Sequence, residues 1–218
     1  MKEQVICMEE TMKEKYFERL FLRYPSLTGI RSEIAEAYEL LETCYENGGK
    51  LLVCGNGGSA ADSDHIVGEL MKGFYKTRPL EKETLKRVGS LGEKLQGALP
   101  AIALTGHSAL SSAFANDVDP EMVFAQQVYG YGKEGDALIC LSTSGNSVNV
   151  CNAARVGKAA GMKVIAMTGR DGGRLRDLSD VSLIAPAEET ADIQELHLPI
   201  YHALCAMLEE HFFPERTA

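Results

Sequence analysis

Leu51-Leu52-Val53-Cys54-Gly55-Asn56-Gly57-Gly58-Ser59 leads directly into Asp62, His65 and Glu69. The apolar run predicts a short buried strand, the glycines a tight turn, and the residues beyond them a helix with a polar face in its first turns. A strand, a turn and a helix N-terminus together form an anion site, because the first N–H groups of a helix have no partner within it. Ser142-Thr143-Ser144-Gly145-Asn146-Ser147 follows another apolar run and repeats the arrangement with hydroxyls added. Two such turns at strand ends point to a phosphorylated small molecule.

Outward from these turns the pattern alternates. Apolar runs rich in Ile, Val and Leu occupy 50–54, 100–104, 137–141, 163–167 and 181–185. Helical spacing covers 60–74, 119–132, 148–160 and 190–212, with a weaker stretch at 108–115. This predicts an α/β fold, a three-layer sandwich whose five-stranded, mostly parallel sheet is covered on both faces. Its ligand belongs at the carboxyl ends of the strands, where both turns lie. Two further helices precede the sheet. Met12, Tyr16, Phe17, Leu20 and Phe21 set the first, over 8–24, and Ile34, Ala37, Tyr38, Leu41 and Tyr45 the second, over 31–47. They either cover the sheet or pack against another subunit. With no repeat or low-complexity linker, residues 1–218 read as one domain, with 1–48 as N-terminal oligomerisation helices.

The segment 76–99 is irregular and carries Lys76, Arg78, Lys82, Lys86, Arg87 and Lys94. It reads as a solvated crossover or as a mobile lid whose cations meet a phosphate.

The 218 residues are 45% hydrophobic and 24% charged, with a formal net charge of −9. No basic run is present, which argues against nucleic acid or an anionic membrane as partner. No long uncharged apolar stretch is present either, and the first residues, MKEQVICMEETMKEKYF, place acidic groups where a secretion signal needs apolar ones. A cytoplasmic location is expected. The cysteines, at 7, 44, 54, 140, 151 and 205, form no CxxC pair and read as free thiols.

Dinucleotide binding is the rival reading of the first turn. The G-x-G-x-x-G fingerprint needs a final glycine where this chain has Ala60, and no Gly-Lys-Ser or Gly-Lys-Thr marks a P-loop. Ser142, Thr143, Ser144 and Ser147 exceed what one helix cap requires. His65 and Glu69, four apart, share a helix face, either as a solvated polar pair or as working groups. Gln194, Glu195, His197, Tyr201 and His202 interrupt an otherwise apolar helix. Gln194 and His202 lie about 80° apart around it and about 12 Å apart along it, awkward for two ligands of one metal. Carboxylate and imidazole beside a phosphate anchor suit aldose–ketose isomerisation. A base moves a proton between C1 and C2 while a second group shuttles the oxygen protons of an enediol. Glu69 and His202 are the candidates for these roles.

Over about residues 30–212 the chain resembles the bacterial phosphoheptose isomerases, within the sugar-isomerase-type (SIS) phosphosugar-binding domains. The resemblance rests on Gly55 to Ser59, His65 with Glu69, Asn116-Asp117, Ser142 to Ser147, and Ile193-Gln194-Glu195 with His197 and His202. It implies a flavodoxin-like fold, a homotetramer with sites between subunits, and interconversion of sedoheptulose 7-phosphate with glycero-manno-heptose 7-phosphate. It implies substrate contacts at Asn56, Gly57, Gly58, Ser59, Glu69, Asn116, Asp117, Ser142, Thr143, Ser144, Ser147 and Gln194. It further implies catalysis by Glu69 and His202, and zinc at His65, Glu69, Gln194 and His202. Two features depart from the family: a longer crossover between Phe74 and Pro100, and Asp192 two residues before Gln194 rather than three. A non-catalytic phosphosugar- or protein-binding regulator of the same fold, resembling replication-initiator-associated proteins, is the alternative. An amino-sugar phosphate enzyme is a third reading.

Overall fold

The computed structural model describes residues 14–214. Five strands form one sheet: β1 (Leu51–Cys54), β2 (Ala101–Ala103), β3 (Ala137–Leu141), β4 (Lys163–Thr168) and β5 (Val181–Ile184). Every neighbouring pair is parallel, in the order β2-β1-β3-β4-β5. The chain leaves β1 for β2 on one side and builds β3 to β5 on the other. The order therefore reverses at β1 and β3, and a crevice opens beyond their carboxyl ends.

Side chains alternate across the sheet, so each strand serves two cores. Leu51, Val53, Ala137, Ile139, Leu141, Ile165 and Met167 face one layer; Leu52, Cys54, Leu138, Cys140, Val164 and Ala166 face the other. Fully burying one Leu or Ile contributes about 1.5–3 kcal/mol, so both layers stabilise the sheet. The first layer comprises α2 (Arg31–Glu46), α3 (Gly58–Met71) and α9 (Thr190–Phe212), with a helical segment over 14–23, α1, packed outside. On the other face lie α6 (Val123–Tyr131), α7 (Val148–Ala159) and α8 (Gly173–Leu178). The remaining helices are α4 (Lys82–Val88) and α5 (Ser108–Asp117).

The N-terminal helices cover the sheet within this chain: Leu20, Phe21, Ile34, Ala37, Tyr38, Leu41 and Tyr45 are all buried in the first core. Met12 and the rest of 8–13 fall outside the described residues. The helix expected over 119–132 begins as a 3-10 turn, Pro120–Met122, before α6, with Asp119 accepting a hydrogen bond from the Glu121 N–H at 2.8 Å.

The crossover differs from the lid expectation at its first two cations. Arg78 is fully buried against Glu209, and Lys76 pairs with Glu210 at 2.6 Å. Beyond them the segment forms α4 and a 3-10 turn, Gly89–Lys94, leaving Lys82, Lys86, Arg87 and Lys94 exposed.

α3 and α9 run side by side in the same direction. Gly58 meets Gln194 near their N-termini, His65 meets His202 further along, and α9 continues to Glu209, which binds the chain just after α3. Pro199 sits inside α9 between these levels, so the carbonyl of Glu195 lacks its helical donor.

Candidate active site

At the β1 and β3 ends the two turns are tied together. The amides of Asn56 and Asn149 exchange two hydrogen bonds, each 2.9 Å long. Within the second turn the hydroxyls of Ser142 and Ser147 lie 2.9 Å apart, and Ser144 Oγ accepts from the Asn146 N–H at 3.2 Å. Ser147 precedes α7 without capping it through its side chain; the Val150 N–H is taken by Asn149 Oδ1 at 2.9 Å, which leaves the N–H groups of Val148 and Asn149 to face the turn. Gly145 has φ +64°, and a Cβ there would stand 1.9 Å from the Gly172 carbonyl oxygen. Only glycine fits both the backbone conformation and that approach. Through the same loop Arg174 donates to the Asn146 carbonyl at 2.7 Å and brings a guanidinium to the hydroxyl turn.

A cleft of about 490 Å³ opens beside the first turn, its wall including Asn56, Thr105, Ser108, Ser111, Ser112 and Asn149. Asn116 and Asp117 stand at the exposed end of α5, where Asn116 Nδ2 donates to Asp117 Oδ1 at 2.8 Å.

The other part of the site is the α3–α9 seam. Asp62, His65, Glu69 and Lys72 follow one another at helical spacing along α3 and its first residue beyond. His65 Nε2 lies 3.2 Å from Glu69 Oε1 and 3.4 Å from His202 Nε2. Its Nδ1 lies 3.0 Å from the Tyr201 hydroxyl, which donates to Asp62 Oδ1 at 3.2 Å. Lys72 Nζ donates to Glu69 Oε2 at 2.9 Å, leaving Oε1 to the imidazoles. Burial, then His65, pushes the His202 pKa down; Glu69 opposes that and the Arg23 cation adds to it. Burial raises the Asp62 carboxyl, against the Tyr201 hydrogen bond and the His65 charge.

Behind Glu69 the helix end is clamped. Arg78 donates to the carbonyls of Leu70 and Glu69, at 2.6 and 2.9 Å, and to Glu209 Oε1 at 2.8 Å. Glu209 also accepts from the N–H groups of Phe74, Tyr75 and Lys76. Two of the last carbonyls of α3, which have no helical donor, are thereby satisfied, one of them that of Glu69 itself.

Of the four expected metal ligands, His65, Glu69 and His202 come together and Gln194 does not. Gln194 lies flat on Gly58, where an added Cβ would meet its amide at 2.6 Å. The two levels lie about 10 Å apart along α3. Two imidazoles and a carboxylate are donors that suit a catalytic zinc ion, yet among the described residues no three His, Cys, Asp or Glu are grouped to hold a metal as they stand. His197 is a core residue: it is buried, its Nε2 lies 3.0 Å from the Thr168 carbonyl oxygen, and burial lowers its pKa.

A parallel sheet reversing at β1 and β3, with these two turns and this seam, has close relatives. The SIS domain family model matches residues 26–90 and 81–169. A phosphoheptose isomerase of Helicobacter pylori (strain P12) is 42% identical over 187 residues, 86% of this chain and 88% of that protein. The chain belongs to the phosphoheptose isomerase family. The solved phosphoheptose isomerase of Francisella tularensis aligns with a TM-score of 0.74 at 35% identity, covering 90% of this chain and 96% of that one. The Neisseria gonorrhoeae enzyme gives 0.71 at 31%, covering 96% and 100%.

Two residues at the site, Asp62 and Tyr201, were named from sequence without a role, and two groups, Arg174 and the α5 hydroxyls, were not singled out. Asp62 and Tyr201 are legible in retrospect, Asp62 being three before His65 and Tyr201 adjacent to His202. Arg174 and the α5 hydroxyls carry no local signal, because only the tertiary fold brings them to the turns.

Proposed function

We propose that this chain is a cytoplasmic, homotetrameric isomerase that interconverts sedoheptulose 7-phosphate and glycero-manno-heptose 7-phosphate. The observation that carries the reading is the meeting of His65, Glu69 and His202 two turns along the helix whose N-terminus forms the first phosphate turn. The imidazoles lie about 10 Å along α3 from the first turn, to which the second turn is tied through Asn56 and Asn149, an arrangement that suits a substrate whose phosphate and reacting carbons lie at opposite ends. The phosphate is held at Ser142, Thr143, Ser144 and Ser147 and by the N–H groups of Val148 and Asn149 at the start of α7. Asn56, Gly57, Gly58, Ser59, Asn116, Asp117 and Gln194 orient the sugar.

Glu69 Oε1 takes the proton from one of the two reacting carbons and returns it to the other. Lys72 keeps Oε2 occupied, so one oxygen is presented. His202, whose lowered pKa favours the neutral ring, exchanges protons with the substrate oxygens through its imidazole. Zinc belongs to the same proposal: of His65, Glu69, Gln194 and His202, the three that meet would hold it, with Gln194 a level away on Gly58, and it would polarise the substrate carbonyl.

The cytoplasmic assignment is supported by the absence, among the described residues, of a helix long and apolar enough to cross a membrane. Exposed apolar side chains such as Leu22 on α1 and Tyr129 on α6 support burial between subunits, which light scattering tests directly.

The decisive experiment incubates metal-defined protein with sedoheptulose 7-phosphate and a panel of other sugar phosphates and follows products by NMR. Turnover of the heptose phosphate is expected, with kcat reduced about 10²- to 10⁴-fold in Glu69→Gln and in His202→Ala. Binding of a sugar phosphate without turnover of any would replace the enzyme with a phosphosugar-binding regulator.

A further inference from the structure

Arg174 gives little to the helix that carries it. It stands exposed in the first turn of α8, the end of a helix where a cation is unfavourable, and joins no ion pair among the described residues. Its side chain reaches back to the hydroxyl turn instead. Nη2 donates to the Asn146 carbonyl at 2.7 Å, and the Arg174 N–H donates to Asn146 Oδ1 at 3.2 Å.

Other donors act on the same turn. The Gly169 N–H takes the Thr143 carbonyl and the Leu175 N–H the Gly145 carbonyl, each at 3.0 Å, while Asn146 Nδ2 takes that of Ser144 at 2.8 Å. Successive carbonyls from Thr143 to Asn146 are thus all held. Three are held by backbone or by the turn's own amide; that of Asn146 depends on a side chain from outside the turn.

The peptide bonds here are trans, and in a planar trans peptide the next N–H points opposite to the carbonyl. Drawing the Asn146 carbonyl toward Arg174 therefore turns the Ser147 N–H the other way. That direction is visible: the Ser147 N–H faces Ser142 Oγ at 3.5 Å, on the side where the hydroxyls of Ser142 and Ser147 lie 2.9 Å apart.

We propose that Arg174 is a positioning residue for a phosphate monoester: by holding the Asn146 carbonyl outward, it keeps the Ser147 N–H aimed at the anion. Without that bond the 146–147 peptide is free to turn, and turning it exchanges a donor for an acceptor facing the phosphate. A guanidinium suits the task, because a bond from a charged donor is roughly twice as strong as a neutral one. The inference rests on the phosphate reading of this turn and not on the isomerisation chemistry.

The test titrates the ¹⁵N-labelled full chain with inorganic phosphate and follows the amide spectrum. In the wild type, phosphate should shift the Ser144 and Ser147 amides. Arg174→Met should displace the Ser147 amide signal before any phosphate is added and raise Kd for phosphate about 10-fold, and Arg174→Lys should recover part of that loss. An exposed charge acting only through space is screened in about 1 M sodium chloride, where the Debye length is about 3 Å. The ratio of Kd values between Arg174→Met and wild type should persist there. With sedoheptulose 7-phosphate, Arg174→Met should raise KM about 10-fold and lower kcat by less than that.

No phosphate shift at 142–149 in the wild type, an unchanged Kd in Arg174→Met, or a ratio that vanishes in high salt overturns the proposal. So does a drop in melting temperature in Arg174→Met together with no recovery of phosphate binding by lysine, which would make the residue merely structural. The expected Kd series with no turnover of any sugar phosphate upholds the positioning role while rejecting the isomerase reading. Turnover whose KM ignores Arg174→Met does the reverse.

Discussion

Around Ser142 to Ser147 the protein presents backbone, hydroxyls and amides close to the surface, whereas along the α3–α9 seam it presents imidazoles, carboxylates and a guanidinium, several of them buried. Apart from the Arg174 guanidinium at its edge, the turn groups are neutral and largely bonded to one another, so each can wait for a ligand at little cost. The seam groups are ionisable and partly removed from water, so each needs the next one: Lys72 for Glu69, Tyr201 for Asp62, Arg78 for Glu209. Damage at the turn should stay local to binding. Damage in the seam should spread.

The largest expected effect on stability therefore lies behind the site, at the clamp on the end of α3. Arg78→Met removes the only cation bonded to Glu209 among the described residues, leaving a buried carboxylate with three backbone donors and no counter-charge there. Breaking such a pair costs about 3–5 kcal/mol. Urea unfolding should show it, and Arg78→Met/Glu209→Gln should recover part of the loss. A wild-type midpoint for the single variant would mean that the seam is held by packing alone.

At the turn, Gly145→Ala forces a Cβ against Gly172 in a left-handed backbone. The conformation alone costs about 1–2 kcal/mol. Because the groups disturbed are phosphate donors, KM for the sugar phosphate should rise more than kcat falls in steady-state assays. A fall in kcat with KM unchanged would erase the division of labour between the two regions.

The smallest effect concerns acid. His197 is buried in its neutral form, with its pKa lowered by burial. The unfolded chain binds the extra proton first as pH drops below about 6.5, so the stability from this burial is complete above that value and is lost as pH falls toward the folded pKa. His197→Gln, which keeps a donor for the Thr168 carbonyl, should flatten the fall in melting temperature between neutral and mildly acidic pH. An unchanged slope would assign the acid sensitivity to other groups.

Both regions have elements that were legible from sequence and elements that were not, and the reason is physical. The five strands, the two glycine-bearing turns and the His65–Glu69 face depend on neighbours within about one helical turn or one strand, and local spacing carries them. The alternation Leu51, Val53 against Leu52, Cys54 anticipates the two cores. Arg78 reads as a surface cation until Glu209, 131 residues later, is folded onto it. Likewise Asn56 with Asn149, 93 residues apart, and Tyr201 with Asp62, 139 apart, join groups whose partners no window contains. The spacing of Gln194 and His202 did anticipate that one helix would serve two levels.

That spacing gives Pro199 a mechanical meaning. It lies between the level where α9 meets the turn and the level where it meets the imidazoles, and it withholds the bond that would brace the helix there. A rod missing one brace bends most easily at that point. The turn and seam contacts of α9 are therefore joined by a compliant coupling, through which a shift at Gln194 on phosphate binding need not be transmitted in full to His202.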